Sequence, residues 1–211
     1  MKQIKSCMSM SPFSIIAILL VGLSGCGSME PLPSDTFYRI KIATPAVSGS
    51  NSAQWTEKMV RVAKFRGTGV HRERAIAYSG DDQLVVKQHR YHLWVDSPER
   101  MLQKELVSYL RAAGVSPAVS TSDLSNEGLE IRVQIHQMDH VVVTNGASAV
   151  IALAFEVVRK NSGEPLVLGK DYRESRSLSS SDMGAVAVAM SDAVGTIFER
   201  FVADATTALL H

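Results

Sequence analysis

Two histidines with metal-ligand spacing, His136 and His140 in the stretch HQMDH, are the first candidates for chemistry. On a helix, two imidazoles four residues apart lie on one face and can share a zinc ion. The surrounding residues alternate between polar and apolar, however, which predicts a strand, and on a strand these two residues lie about 13 Å apart. Because the chain has no cysteine beyond residue 26 to complete a ligand set, we expect no metal site.

Other residues that could support catalysis form no known constellation. Serines are abundant but never occur as G-x-S-x-G, and GTGVHR (67–72) lacks the third glycine of a dinucleotide-binding turn. Asp81 and Asp82 are adjacent carboxylates in a glycine-containing turn, where side chains are usually solvated. The sequence therefore predicts a protein that is not an enzyme and needs no cofactor.

The remaining reactive residue is Cys26, which directly follows the small residues of Leu23-Ser24-Gly25. Residues 1–11 carry two lysines and no acid, and residues 14–23 are almost entirely apolar. This order of zones is typical of a secretory signal, so we predict a signal peptide over residues 1–25. The apolar stretch is shorter than the about 20 residues that a transmembrane helix needs.

The stretch Leu23-Ser24-Gly25-Cys26 resembles the bacterial lipobox, which implies cleavage before Cys26 and acylation of its thiol. The only other cysteine, Cys7, lies in the segment to be removed and leaves no disulfide partner. The alternative is ordinary cleavage beside a coincidental cysteine. Lipoproteins retained at the inner membrane commonly have aspartate after the cysteine. Gly27 at that position implies a lipid-anchored protein on the periplasmic face of the outer membrane.

Length and charge narrow the classes of partner. Removal of 25 of the 211 residues leaves 186, enough for one domain with a sizeable core. The removed segment contains two lysines, so the formal charge changes from +1 to −1. Without a basic surplus, we expect no binding to nucleic acid.

A short tether and a series of predicted strands follow. Residues 26–35 contain two prolines and few apolar side chains, so we predict that they extend without packing. Residues 36–211 are predicted to form a single domain. Alternating polar and apolar residues predict strands over 36–43, 58–65, 128–143, 147–160 and 165–178, with two more inside 75–94.

Two amphipathic helices accompany these strands. The first spans 97–114, with Ser97 as N-cap, Pro98 at the first helical position and Gly114 just past the end. The second spans 181–210, where apolar residues recur at steps of three or four. This element order predicts an α+β fold, in which one mainly antiparallel sheet carries two helices packed on one face.

The predicted hairpin has an unusually apolar tip, VVVTNGASAVIA (141–152). Its Asn145-Gly146 pair is a strong signal for a type I′ turn. One interpretation is a central strand pair packed on both faces. The other is a contact with a protein or lipid at the tip, for which Thr144, Asn145 and Gly146 are the candidate residues.

Three longer features resemble the ABC-type transport auxiliary lipoprotein family. They are FYRI (37–40), RERAIAYSGDDQLVVKQHRYHLWVDSPERML (72–102) and the closing amphipathic helix. The similarity covers essentially the whole mature chain, although KFRGTGVHRER (64–74) stands where family members often have a proline-containing segment. The resemblance implies an antiparallel sheet with helices, and it carries over no catalytic residue.

The same resemblance implies a function. It implies an outer-membrane accessory protein for transport of phospholipids or other hydrophobic solutes. Its partners would be inner-membrane ABC-type components and a periplasmic MCE (mammalian cell entry) protein, which the lipoprotein would dock, in one arrangement as a homo-oligomeric ring. Two alternatives stay open: an assembly lipoprotein of another envelope machine, for lipopolysaccharide insertion or secretion, and a small lipid carrier with an internal apolar cavity.

Overall fold

The computed structural model describes residues 33–45, 54–144, 146–162, 165–178, 180 and 182–210. The predicted signal peptide, Cys26, most of the tether and Asn145 lie outside these residues. The elements in chain order are β1 (Thr36–Tyr38), β2 (Val60–Val62), β3 (Arg66–Gly67), a 3₁₀ turn (Gly69–Arg72), β4 (Ala75–Ser79), β5 (Val86–Trp94), α1 (Pro98–Ala112), β6 (Val119–Ser120), β7 (Leu129–Val143), β8 (Gly146–Arg159), β9 (Leu166–Leu178) and α2 (Met183–Leu210).

The long strand β7 organises the sheet. One edge of β7 pairs with β8 in antiparallel register along its whole length, and β9 continues this meander. The other edge of β7 pairs in succession with β2, β3 and β4, and all three pairs are parallel. β5 and β1 extend the sheet beyond β4, and β6 extends it beyond β2. The result is one strongly curled, mixed sheet.

This topology corrects the predicted mainly antiparallel sheet. The meander β7–β8–β9 is antiparallel as predicted, but five of the eight strand pairs among the described residues are parallel. The strands β2, β3 and β4 all precede β7 in the chain, and α1 lies between them and β7. A connection that contains a helix lets the chain return in the same direction, so the neighbours become parallel.

The two predicted N-terminal strands are shorter than expected. β1 ends at Tyr38 because the next residues turn towards the helices, where the N–H of Lys41 donates to Ser191 Oγ at 3.2 Å and the N–H of Ile42 donates to Glu105 Oε2 at 3.3 Å. The second predicted strand, 58–65, is reduced to β2, and fully buried Phe65 separates it from β3, which begins just beyond the predicted range. Both changes depend on tertiary contacts that local alternation cannot reveal.

The helix ends follow the sequence closely. Ser97 is the N-cap of α1 and Pro98 its first helical residue, as predicted. The carbonyl of Ser97, rather than its hydroxyl, accepts the N–H groups of Arg100 and Met101 at 3.0 Å. Gly114 follows the helix with a φ of 67°, the left-handed conformation that favours glycine.

Both helices contribute to one hydrophobic core. α2 packs on β8 and β9, α1 packs on β2 and β3, and the two helices touch each other through Tyr109 and Phe198. The core is aromatic where α2 meets β8 and β9. Phe155 of β8 stacks on Phe201 of α2 with ring centroids 4.3 Å apart, and Tyr172 of β9 meets Phe155 edge-on at 5.5 Å. These contacts fix the sheet face towards the helices and leave the alternate residues on the other face.

Candidate functional site

A groove of about 920 Å³ opens on the side of the sheet where the alternate, polar residues of β7 project. Leu129, Ile131 and Val133 of β7 lie in the hydrophobic core, so period-two alternation points the residues between them away from the helices. The groove is lined by residues of β2, β3, β7 and β8, of the segments beside β2 and β3, and of the start of α1. They are Arg61, Ala63, Lys64, Phe65, Arg66, Gly67, Arg72, Glu99, Glu130, Arg132, Val133, Gln134, Ala154 and Glu156.

The first ionic cluster of the groove surrounds Glu130, whose residue surface is only 7% exposed. Its Oε1 accepts a hydrogen bond from Arg132 Nε at 2.7 Å, and its Oε2 accepts one from Arg61. Burial alone would raise the pKa of Glu130, but the hydrogen bonds from Arg132 and Arg61 outweigh it and lower the pKa. One carboxylate is therefore shared by two guanidinium groups.

Arg61 combines two carboxylate partners with one unsatisfied donor. Its guanidinium also lies 3.4 Å from Asp123, yet its Nε is buried without a hydrogen-bond partner among the described residues. A buried N–H of this kind costs free energy until an acceptor reaches it. The guanidinium of Arg61 thus keeps one buried donor that the described side chains leave unused.

A second cluster surrounds Glu99, in the first turn of α1. Its Oε1 accepts the N–H of Gly67 at 2.8 Å, while Lys64 and Arg72 approach the carboxylate at 3.9 Å and 3.8 Å. A Cβ at position 67 would lie 2.9 Å from the carbonyl oxygen of His71, so glycine permits this close packing. Glu99 is again one carboxylate shared by two cations.

The groove as a whole carries a positive surplus. Five cations and three carboxylates line it, which gives a formal charge of +2. Arg66 and Glu156 form no ion pair within the part of the chain that the structure describes. The arrangement can hold an anionic group through charge and guanidinium hydrogen bonds.

The nearest pair with catalytic character is His71 and Asp139. His71 Nε2 lies 2.7 Å from Asp139 Oδ1, and Gln137 donates to the other carboxylate oxygen at 2.7 Å. Across the described ranges, no serine or cysteine is hydrogen-bonded to this histidine, and no group of three or more metal-binding side chains is found. The pair fixes the 3₁₀ turn on β7.

The predicted site residues fall elsewhere. Thr144 and Gly146 are exposed at the β7–β8 tip, while Cys26 and Asn145 lie outside the described residues. The ten residues from Gln134 to Thr144 place the tip about 30 Å along β7 from the groove. A partner contact at the tip therefore stays a separate prediction.

The predicted strand over His136 and His140 is confirmed, but its histidines have different surroundings. His136 is exposed at a β-bulge, whereas His140 is 4% exposed and stacks on His89 of β5 with centroids 5.7 Å apart. The sequence did not reveal this neighbour, nor the groove. The sequence signals for the groove were the cations at 61, 64 and 66 and the polar positions Glu130 and Arg132 on an alternating strand. The same pattern is equally typical of a strand face exposed to solvent.

Comparison with known proteins agrees with this architecture. The profile of the ABC-type transport auxiliary lipoprotein component family matches residues 38–201, and the chain belongs to this family. It is therefore an auxiliary lipoprotein component of an ABC-type transport system, which fits a non-catalytic role. No curated protein sequence matches the chain. None of the described helices is both long and apolar enough to cross a bilayer.

Solved structures share the fold. Protein XCC0632 from Xanthomonas campestris superposes with a TM-score of 0.71 at 18% identity, over 82% of this chain and 95% of the other. The hypothetical protein CT253 from Chlamydia trachomatis has a TM-score of 0.50 at 10% identity, over 73% of this chain and 98% of the other. At such identities the likeness concerns the fold alone.

Proposed function

We propose that this protein is a non-catalytic docking component of an MCE-linked ABC-type system that moves phospholipids or other hydrophobic solutes. It works on the periplasmic face of the outer membrane, anchored through acylated Cys26. The family supports the accessory role, and the open, charged groove is the observation that carries docking. A lipid anchor confines the protein to a surface, so a weak contact gains effective concentration.

The walls of the groove favour docking over lipid carriage. An acyl chain needs an apolar lining, but Phe65 and Val133 at the groove are fully or almost fully buried and offer little surface. The accessible side chains are mainly arginine, lysine and glutamate. Polar walls of this kind suit the exposed groups of another protein.

Membrane pull-down tests the docking function. The acylated protein, extracted in mild detergent, should recover an MCE-domain protein together with inner-membrane ABC-type components. Recovery of lipopolysaccharide-insertion or secretion proteins instead would favour the alternative of an assembly lipoprotein. Recovery of no transport component would count against docking.

Labelled palmitate tests the anchor separately. We expect the label to enter the wild-type chain and not Cys26→Ala. The folded domain should be unchanged, because Cys26 lies ten residues before β1. Equal labelling of the two chains would contradict attachment at Cys26.

A further inference from the structure

We propose that the groove between β2, β3, β7 and β8 binds an acidic, extended segment of a protein partner. This inference rests on the proposed docking function and adds the chemistry of the partner. The segment would place its carboxylates against the spare cations of the groove, with exposed Lys64 and Arg66 as the principal contacts.

The charge arrangement supports an anionic ligand. Among the residues that line the groove, Glu130 is shared by Arg61 and Arg132, and Glu99 is shared by two other cations, so each cluster has one more cation than carboxylates. Asp123, outside the lining, also approaches Arg61 at 3.4 Å and is itself paired with Lys160. Arg66 adds a cation with no ion pair among the described residues, next to Gln134 in the strand register. Glu156 offsets one of these three charges, so two carboxylates from outside would balance the formal +2 of the groove.

The dimensions support an extended chain. The polar residues of β7 from Glu130 to Gln134 cover about 13 Å, the length of roughly four extended residues. Along such a segment, side chains on the same face are about 7 Å apart, so two or three acidic groups can reach the groove together. A free phosphate would satisfy only one of these positions.

The test uses the acylated mature protein in non-ionic detergent and a fluorescein-labelled hexaglutamate peptide as the probe. Fluorescence anisotropy should show binding of hexaglutamate and none of hexaglutamine. Because the contact is ionic and exposed, raising the salt concentration from about 0.05 M to about 0.5 M should weaken binding several-fold. Binding of both peptides with equal affinity would overturn the proposal.

Charge reversal locates the site. Lys64→Glu combined with Arg66→Glu should weaken hexaglutamate binding at least about tenfold, since two attractive pairs become repulsive. Arg90→Glu is the matched control, an exposed arginine on β5 outside the groove, and should change the affinity less than about twofold. Unchanged melting temperatures would show that both variants fold. Equal losses in the two variants would overturn the proposal.

Two further measurements, a competition assay and the membrane pull-down, separate this inference from the proposed docking function. Competition by glycerol 3-phosphate at lower concentration than hexaglutamate would show a headgroup site and overturn the acidic-segment proposal. In the membrane pull-down, a partner recovered by wild type and lost from the Lys64→Glu/Arg66→Glu protein would support it. A partner retained by that variant would overturn the groove contact and leave docking standing. If wild type recovers no partner, docking fails, and the peptide measurements still decide the groove.

Discussion

Acidification should destabilise the end of the sheet where three imidazoles meet. The ring centroid of His89 lies 4.5 Å from that of Tyr78, with the two rings tilted by 39°. It lies 5.6 Å from the ring centroid of His92 and 5.7 Å from that of His140. Burial, followed by the charges of His140 and His92, lowers the pKa of His89 from 6.5 to about 4. Burial also lowers the pKa of His140, whose Nε2 has no hydrogen-bond partner among the described residues.

The sign and size of the effect follow from proton linkage. Below the ordinary pKa the unfolded chain binds protons that the folded cluster resists, so folding stability falls as the pH decreases from 6.5 towards 4. For His89 alone, the part of this shift that titrates between about pH 7 and about pH 5 corresponds to a loss of about 2 kcal/mol. Because the ring is only half-buried, solvent screening reduces this to about 1 kcal/mol. His140 acts in the same direction.

Thermal unfolding at the two pH values measures this loss. For a domain of this size, about 1 kcal/mol lowers Tm by about 2–4 °C. His89→Gln removes the titrating group and should reduce the difference in Tm between the two pH values. His136→Gln, at an exposed position of β7, is the control and should leave the difference unchanged. An identical difference in wild type and His89→Gln would refute the reasoning.

Three substitutions test the packing. Phe201→Ala removes the central aromatic ring and should cost about 3–5 kcal/mol in urea unfolding; a loss below about 1 kcal/mol would contradict the packing. Gly128→Ala should lower the free energy of unfolding by at least about 2 kcal/mol, because φ is 107° and a Cβ would lie 2.2 Å from the carbonyl oxygen of Met59. A neutral result in thermal unfolding would refute that clash. Trp55→Phe loses the 2.8 Å hydrogen bond from the indole N–H to Thr206 Oγ1, and should cost about 1 kcal/mol by circular dichroism in urea. Unchanged stability would show that water replaces the bond.

The elements that were predicted well are those with a long local period. β7, β8, β9 and both helices extend over many residues, so alternation or helical spacing is sampled several times and caps mark the ends. β2 and β3 have three and two residues, too few for a period to define them. Their existence depends on pairing with β7.

The candidate site was not predictable in the same way. Arg61 and Glu130 are 69 residues apart in sequence, and the residues joined by the Gly67–Glu99 hydrogen bond are 32 apart. Each residue alone fits an exposed strand, loop or helix start. Only the parallel pairing of β2 and β3 with β7 turns them into one charged groove.

The sequence by itself determined the number and kind of the long elements, the hydrophobic stripes of the helices and the prediction of a secreted chain acylated at Cys26. These properties depend on neighbours within a few residues, where backbone geometry dictates which side chains share a face. The tertiary structure decided the parallel order of the short strands, the partly buried cluster of His89, His92 and His140, and the unsatisfied arginine at the groove. These features depend on which distant segments pair through hydrogen bonds. The pairing that forms is the one that buries the whole hydrophobic core, which no local stretch of sequence specifies.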